Sequence, residues 1–166
     1  MKMLDLIRPG SIIPELQSTD RNGAIRELVE LLGAQELVRP DLVDGIVRSI
    51  VTRERTRGTT GFGKGVAVPH AKVDEQTVIA AAVGRSSLMG PIASMGFGFA
   101  SLDGQLVHIV FLIVSPASQP DEHLRAMDLI FRNVQQERFR KFLRQLDTRE
   151  KIYDLLKEAD EKTLVA

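Results

Sequence analysis

The strongest signal for the fold of this 166-residue chain is the apolar run Val107-His108-Ile109-Val110-Phe111-Leu112-Ile113-Val114. It is rich in valine, isoleucine and phenylalanine, as expected of a central strand that is buried on both faces of a sheet. A run of eight residues is far too short to cross a membrane as a helix. We therefore predict that this stretch is a central, covered β-strand, and we expect no membrane insertion.

Shorter runs of β character precede this strand, and apolar residues at helical spacing lie on both sides of them. The predicted short strands are Val66–Val68, Val78–Val83 and Phe97–Phe99. Before them, we predict an entry strand or loop over residues 4–14 and a pair of helices within residues 20–55. After Pro120 the helical spacing returns and continues to Leu156. This order of elements predicts one α/β sandwich and a single domain over residues 1–166.

Residues with short polar side chains, and one glycine, predict where the helices begin and end. The first helix of the pair can be capped within Ser18-Thr19-Asp20 and can end at Gly33. Asp41 can cap the second helix, and either Asp147 or Thr148 can cap the last helix of the chain.

The composition excludes several classes of protein. The chain has 22 basic and 22 acidic residues, one tyrosine and no tryptophan, which argues against nucleic-acid binding through a basic, aromatic surface. The absence of cysteine excludes disulfides, cysteine zinc sites and a thiol nucleophile. The first residues lack the long apolar segment of a signal peptide and already include the acidic Asp5. We therefore expect no signal peptide and a cytoplasmic location.

The segment Gly58–Gly65 contains four glycines in eight residues, which is typical of a loop whose backbone comes close to a ligand. Its first part matches a nucleotide-binding P-loop as far as Gly63 and Lys64. The match then fails, because Gly65 stands where a P-loop has Ser or Thr for Mg²⁺. A strand follows, whereas a P-loop opens a helix. We therefore do not interpret this segment as a nucleotide site.

His70 follows the glycine loop directly and is the main candidate for chemistry. Pro69 restricts the backbone before it and places the imidazole at the end or edge of a strand. Anion-binding groups are close in sequence: the glycine amides, the hydroxyls of Thr59 and Thr60, and the charges of Arg53 and Lys64. A neutral imidazole is nucleophilic near pH 7 and forms a labile P–N bond, so this setting suits a transient phosphoryl carrier. The alternative is a histidine with a merely structural role.

The residues from Thr52 to Lys72 resemble the signature of the type-2 enzyme IIA domains of the bacterial phosphoenolpyruvate-dependent phosphotransferase system, in its fructose/mannitol and nitrogen-regulatory branches. The matching residues are Thr52-Arg53-Glu54 and Gly58-Thr59-Thr60-Gly61-Phe62-Gly63-Lys64-Gly65-Val66-Ala67-Val68-Pro69-His70-Ala71-Lys72. A second block is matched by Val107–Val114, Pro116 and His123-Leu124. The resemblance extends over about residues 4–158.

This resemblance implies a mixed β-sheet flanked by helices, and it implies roles for particular residues. His70 corresponds to the phosphorylated histidine, which accepts phosphate through Nε2 from a histidine phosphocarrier protein. His123 corresponds to a second active-site histidine, and Arg53 to an arginine near the phosphate. Thr59, Thr60, Gly61 and Gly63 are expected to support the phosphate. The resemblance implies no cofactor and no metal.

Two departures from the family pattern affect these assignments. The segment from Arg53 to His70 is one residue longer than usual, so Arg57 is an alternative candidate for the arginine near the phosphate. The stretch Leu88–Gly96 is an insertion, which suits either an exposed docking loop or a buried hairpin tip.

The other two histidines have alternative interpretations. His123 follows a predicted helix start at Pro120, where an anion is favoured, and the alternative is a solvated helix histidine. His108 lies within the apolar run, and we expect it to be structural. A metal site formed by all three histidines is an alternative without any supporting spacing.

Two functional hypotheses remain compatible. The first is a phosphohistidine carrier that passes its phosphate to a IIB protein. The second is a regulatory module whose phosphorylation controls its binding to another protein. Because the sequence has no appended permease and no recognisable IIB segment, it favours a standalone protein similar to the nitrogen-regulatory branch.

Overall fold

A computed structural model describes residues 1–58, 60–87 and 107–165 of the chain. Within these residues, six strands form one mixed sheet in the order β1-β5-β6-β3-β2, and β4 pairs with β6 on the same side as β3. The strands are β1 Ile12–Ile13, β2 Gly61–Gly63, β3 Val66–Ala67, β4 His70–Val73, β5 Ala80–Arg85 and β6 Ile109–Pro116. The helices are α1 Met3–Leu6, α2 Arg21–Ala34, α3 Val43–Arg57, α4 Pro120–Val134, α5 Glu137–Gln145 and α6 Arg149–Val165.

Strand β6 is the centre of the sheet, as the sequence predicts, although it begins two residues later than the apolar run. All of its residues are buried. It pairs antiparallel with β5, where Ala82 lies opposite Leu112, and parallel with β3 and β4 on its other side. Long apolar side chains on both of its faces explain this position, because only a central strand is covered on both faces.

Strands β3 and β4 run along β6 as one interrupted strand. Val66 pairs with Ile109 and His70 pairs with Ile113, so the register is the same on both sides of the interruption. Pro69 has no N–H to donate, but its carbonyl still accepts a hydrogen bond from the Ile113 N–H at 3.1 Å. The interruption therefore leaves His70 alongside the middle of the sheet.

Each face of the sheet carries its own core. Alternate residues of β6 point to opposite faces, so Val110, Leu112 and Val114 pack with α2 and α3. Ile109, Phe111 and Ile113 pack with α1 and the three C-terminal helices. The α/β prediction and the mixed β-sheet flanked by helices are confirmed. His70 and Ser115 lie on the same face as Ile113, toward α4.

The helices predicted within residues 20–55 and after Pro120 lie close to the observed α2 and α3 and to α4, α5 and α6. The Asp20 side chain caps α2 by accepting a hydrogen bond from the Gly23 N–H at 2.6 Å. Thr148, one of the two residues expected at the start of α6, accepts from the Lys151 N–H at 3.2 Å. Both bonds satisfy donors that a helix leaves unpaired in its first turn.

Some sequence predictions of helix ends are wrong. Asp41 does not cap α3: it lies in a 3₁₀ turn, Pro40–Leu42, and its carboxylate instead binds the Arg39 guanidinium at 2.7 Å. Gly33 does not end α2, which continues through Ala34. Gly33 is instead a packing position, because a Cβ there would lie 2.9 Å from the Val43 side chain.

The first residues of the chain are also more structured than predicted. The segment expected to be a strand or loop contains α1, a 3₁₀ turn at Pro9–Ser11 and then β1. Buried Asp160 of α6 explains why α1 forms, since its carboxylate accepts hydrogen bonds from the N–H groups of Met3 at 2.6 Å and Leu4 at 3.1 Å. The predicted strand Phe97–Phe99 and the insertion Leu88–Gly96 lie outside the described residues. Across the described ranges, no helix is long and apolar enough to span a membrane.

Candidate functional site

His70 begins β4 and is half-buried beside the interruption at Pro69. Its Nδ1 lies 2.9 Å from the carbonyl oxygen of Val68. Since a carbonyl oxygen only accepts hydrogen bonds, Nδ1 carries the proton and donates it. The neutral ring therefore has its lone pair on Nε2. The backbone of the residue two positions earlier thus selects the nitrogen that can act as a nucleophile.

His123 lies in the first turn of α4 and faces the same side of the sheet as His70. The two ring centroids are 5.2 Å apart, and the ring planes are inclined by 56°. The His123 residue is only 4% exposed, so the interpretation as a solvated helix histidine is wrong. Its Nδ1 lies 2.6 Å from the hydroxyl oxygen of Ser115, which is completely buried on β6.

The surroundings keep both imidazoles neutral at pH 7. Burial lowers the pKa of His70, and the positive charges of Arg53 and Lys72 lower it further, against the hydrogen bond to Val68 and the charge of Glu54. Burial is also the main reason that the pKa of His123 falls to about 4, with smaller contributions from His70 and Lys72. A neutral pair of imidazoles offers lone pairs and N–H groups together in one place.

The two arginines considered for the site lie differently. Arg53 is half-buried near the end of α3, and its Nη1 donates to the carbonyl oxygen of Gly58 at 3.3 Å. Its charge acts on the His70 ring, whereas Arg57 is exposed and is not among the charges that shift the pKa of His70. This placement favours Arg53 over Arg57. Lys64 is exposed in the turn that follows β2.

Glu54 ties the glycine-rich segment to α3. This carboxylate is 4% exposed, and both of its oxygens accept from the Thr60 N–H at 3.1 Å. The Thr60 hydroxyl also donates to it. The Thr60 carbonyl in turn accepts from the Val68 N–H at 3.1 Å. Thr60 therefore links α3 to the residue whose carbonyl orients His70, while its expected contact with phosphate stays a prediction.

The glycine-rich segment forms part of a β-hairpin rather than an open loop. Gly61 and Gly63 lie in β2, which pairs antiparallel with β3. The tight turn that follows needs positive φ at Gly63 (117°), Lys64 (58°) and Gly65 (82°). Strand, turn and strand follow one another here, so the structure agrees with the rejection of a P-loop. Thr59 lies outside the described residues.

His108 lies apart from this pair, just before β6. It is half-buried, and its ring Nδ1 lies 3.4 Å from the Ser86 carbonyl oxygen. Its backbone N–H donates to the carbonyl oxygen of Gly65 at 2.8 Å. Ser115, the partner of His123, lies near the opposite end of the same strand. The three histidines, all within the described ranges, form no metal-binding group, and those ranges contain no other cluster of three His, Asp or Glu residues that could hold a metal ion.

Three residues of this site were given no role from the sequence, namely Ser115, Glu54 and Lys72, although Glu54 and Lys72 lie within the matched signature. Lys72 follows His70 by two positions in β4 and pairs in register with Ser115, so strand alternation places all three on one face. Alternation could have indicated Lys72 once β4 was recognised. Ser115 had one signal, since it is the polar residue that ends the apolar run, but the hydroxyl's partner depends on the packing of α4.

Comparison with known proteins supports this description of the fold. The family model of the phosphoenolpyruvate-dependent sugar phosphotransferase system, EIIA 2, matches residues 5–159. A nitrogen regulatory protein of Bradyrhizobium diazoefficiens is 32% identical over 160 residues, which cover 94% of this chain and 95% of that protein.

Solved structures show the same architecture. Nitrogen regulatory protein IIA-Ntr from Neisseria meningitidis superimposes with a TM-score of 0.78 at 21% identity, over 92% of this chain and 97% of that one. Enzyme IIAMTL from Escherichia coli, solved in complex with phosphorylated enzyme IIBMTL, gives a TM-score of 0.71 at 18% identity, over 92% and 99% of the two chains. The fold is thus that of type-2 enzyme IIA domains.

The chain belongs to the EIIA 2 family of the phosphoenolpyruvate-dependent sugar phosphotransferase system. It is a phosphotransfer component of the type found in both the nitrogen-regulatory and the sugar-specific branches of that family.

Proposed function

We propose that this protein is a phosphohistidine carrier that accepts a phosphoryl group on His70 from a histidine phosphocarrier protein. It then passes the group to a IIB partner or keeps it as a regulatory signal. The observation that carries the proposal is the hydrogen bond from His70 Nδ1 to the Val68 carbonyl oxygen, beside a second imidazole. This bond leaves the lone pair of a neutral ring on Nε2.

The transfer needs no group beyond the two proteins. The Nε2 lone pair of His70 attacks the phosphorus of the donor's phosphohistidine and forms a new P–N bond. The donor's P–N bond breaks, and its electron pair returns to the donor's imidazole. Because the pKa of His70 is lowered by burial and by Arg53 and Lys72, the lone pair is available at neutral pH.

The other residues act on the charge of the transferring group. We propose that His123 and Arg53 donate hydrogen bonds to phosphoryl oxygens, since such donors stabilise the transition state of phosphoryl transfer. Thr59, Thr60, Gly61 and Gly63 complete the phosphate-supporting segment in this proposal. Since phosphoenolpyruvate is the phosphate source, we place the reaction in the cytoplasm.

Labelling with phosphoenolpyruvate, enzyme I and the histidine phosphocarrier tests this assignment. We expect one acid-labile phosphate per chain in the wild-type protein and none in His70→Ala. His108→Ala is the matched control, because it removes a histidine at a distance from the pair and should be labelled fully. Labelling that persists in His70→Ala would refute the assignment of His70.

A regulatory role without onward transfer is the second candidate, and it is favoured by the similarity to nitrogen regulatory proteins. A new phosphate at His70 adds about two negative charges to a surface that otherwise carries Arg53 and Lys72, and this change can switch the binding of a partner. Affinity capture from the native cell with phosphorylated and unphosphorylated protein separates the two roles. Recovery of a sugar-specific IIB protein alone supports transport, and a partner that binds only one phosphorylation state supports regulation.

A further inference from the structure

We infer that Ser115 positions His123 by donating its hydroxyl proton to Nδ1, which fixes the imidazole proton on Nε2. In this arrangement His123 presents an N–H, whereas His70 presents a lone pair. The inference rests on the proposed function only for its consequence, namely that His123 acts as a hydrogen-bond donor and not as a competing phosphate acceptor. The proton positions themselves follow from the geometry.

The bond between Ser115 and His123 is short and buried. The hydroxyl oxygen lies 2.6 Å from Nδ1, Ser115 is 0% exposed and His123 is 4% exposed. Within the described part of the chain, the hydroxyl has no second hydrogen-bond partner. Since Ser115 is fully buried, water does not reach the oxygen, and Nδ1 of His123 is the one acceptor that the described residues offer to the hydroxyl proton.

Counting protons then decides the direction of the bond. If His123 Nδ1 carried the proton, it would donate to the hydroxyl oxygen, and the hydroxyl proton would be left buried and unpaired. If Ser115 donates, the hydroxyl proton is paired with Nδ1, and the remaining imidazole proton lies on Nε2, which is not among the fully buried side-chain atoms without a partner. A buried donor without a partner raises the free energy of the folded state, so the arrangement in which Ser115 donates is favoured.

The two histidines of the site are therefore set to opposite tautomers by two different groups. The Val68 carbonyl oxygen only accepts, and it holds the proton of His70 on Nδ1. The Ser115 hydroxyl donates, and it holds the proton of His123 on Nε2. Both Nδ1 atoms are occupied within the protein, so both Nε2 atoms remain for the site, one as a nucleophile and one as a donor.

Burial keeps this division of roles intact at neutral pH. Since the pKa of His123 is about 4, its ring does not gain the second proton that would erase the difference between its nitrogens. The groups that act on it are His70 and Lys72, and both disfavour protonation.

The first test is ¹⁵N NMR of the imidazole rings in the full chain at pH 7, without any phosphate donor. We expect the spectrum of His123 to show protonated Nε2 and hydrogen-bonded, unprotonated Nδ1. The spectrum of His70 should show protonated Nδ1 and unprotonated Nε2. A protonated Nδ1 on His123 would overturn the inference. This experiment needs no variant for its result and no phosphotransfer activity, so it stands even if the proposed function fails.

The second test uses substitutions of Ser115. Ser115→Ala should move the His123 Nδ1 resonance to that of an imidazole nitrogen without a hydrogen bond and leave the His70 tautomer unchanged. It should slow phosphate acceptance by about tenfold to a hundredfold, because a group displaced by about 1 Å from its working position costs rate on that order. Ser115→Thr keeps the hydroxyl and should restore both the resonance and the rate.

Ser11→Ala is the matched control, since Ser11 is also a fully buried serine but its hydroxyl has no hydrogen-bond partner among the described residues. It should leave both imidazole spectra and the rate as in the wild type. If Ser115→Ala leaves the His123 spectrum and the rate unchanged, the hydroxyl does not position the ring and the inference is wrong. If the spectra follow the expectation but the wild-type protein takes up no phosphate, only the proposed function is refuted.

Discussion

Replacing His123 by Asn should make the stability of the protein less sensitive to acid. The Asn side chain places its polar atoms close to the position of His123 Nδ1, so it can keep the hydrogen bond to Ser115. It does not titrate in the range where histidine does. The variant therefore removes one titrating group from a buried site and conserves the local contact.

The size of the effect follows from the pKa of His123. In the unfolded chain this pKa is about 6.5, and in the folded protein it is about 4, so the folded state favours the neutral ring. The stability that His123 contributes is complete above pH 6.5 and is lost as the pH falls toward 4. Linkage gives a loss of about 2 kcal/mol at pH 5 and about 3 kcal/mol in total below pH 4.

Urea unfolding at pH 7 and pH 5 measures this difference. The free energy of unfolding of the wild-type protein should fall by about 2 kcal/mol more than that of His123→Asn over this interval. Carboxylates common to both proteins cancel in the comparison. His108→Asn provides a control, because burial also lowers the pKa of His108 but this ring is more exposed, so its variant should differ less from the wild type.

Parallel losses of stability in the wild type and in His123→Asn would refute the reasoning. That result would mean that the His123 ring is protonated as easily in the folded protein as in the unfolded chain. The neutral-donor role of His123 would then lose its physical basis.

The remaining predictions concern buried polar groups. Glu54→Gln should keep one acceptor for Thr60 and cost less stability than Glu54→Ala, which leaves the Thr60 donors unpaired at about 1–3 kcal/mol and should also slow phosphate acceptance; urea unfolding and the labelling assay measure both. Asp160→Ala should destabilise the protein by about 2–3 kcal/mol in urea unfolding, because the Met3 N–H loses a charged partner. Asp160→Asn keeps an acceptor for this N–H and should cost less, so equal stability of the two variants would contradict this account. Ser11→Ala should leave stability unchanged or raise it by about 1 kcal/mol in thermal unfolding, since the Ser11 hydroxyl is buried without a partner within the described residues; a clear loss of stability would show a missed hydrogen bond.

Local patterns in the sequence were sufficient to predict most of the fold. The run Val107–Val114 indicated a covered central strand, and β6 is that strand. Helical spacing after Pro120 and the cap at Asp20 also predicted helices that the structure contains. These signals are reliable because periodic burial and capping depend on residues close together in the chain.

The errors occurred where a side-chain contact in the folded protein overrides the preference expected from residue type alone. Gly33 was expected to end a helix, but the helix continues through Ala34, and the missing side chain of Gly33 instead leaves room for Val43. Asp41 was expected to cap α3, but Arg39 binds its carboxylate. The first helix, α1, has almost no local signal and depends on Asp160, which is 157 residues away from Met3 in the chain.

For the site, the residue pattern was enough to predict the candidate chemistry: a histidine after a glycine-rich segment and Pro69, within a motif shared with one family. The fold brought His123 beside His70, put the charge of Arg53 rather than that of Arg57 near the His70 ring, and gave the two imidazoles their partners, Ser115 and the Val68 carbonyl. The physical reason is that a pattern of residue types specifies which side chains can react. The proton positions and pKa values that make them react depend on burial and on hydrogen bonds formed across the sheet and α4.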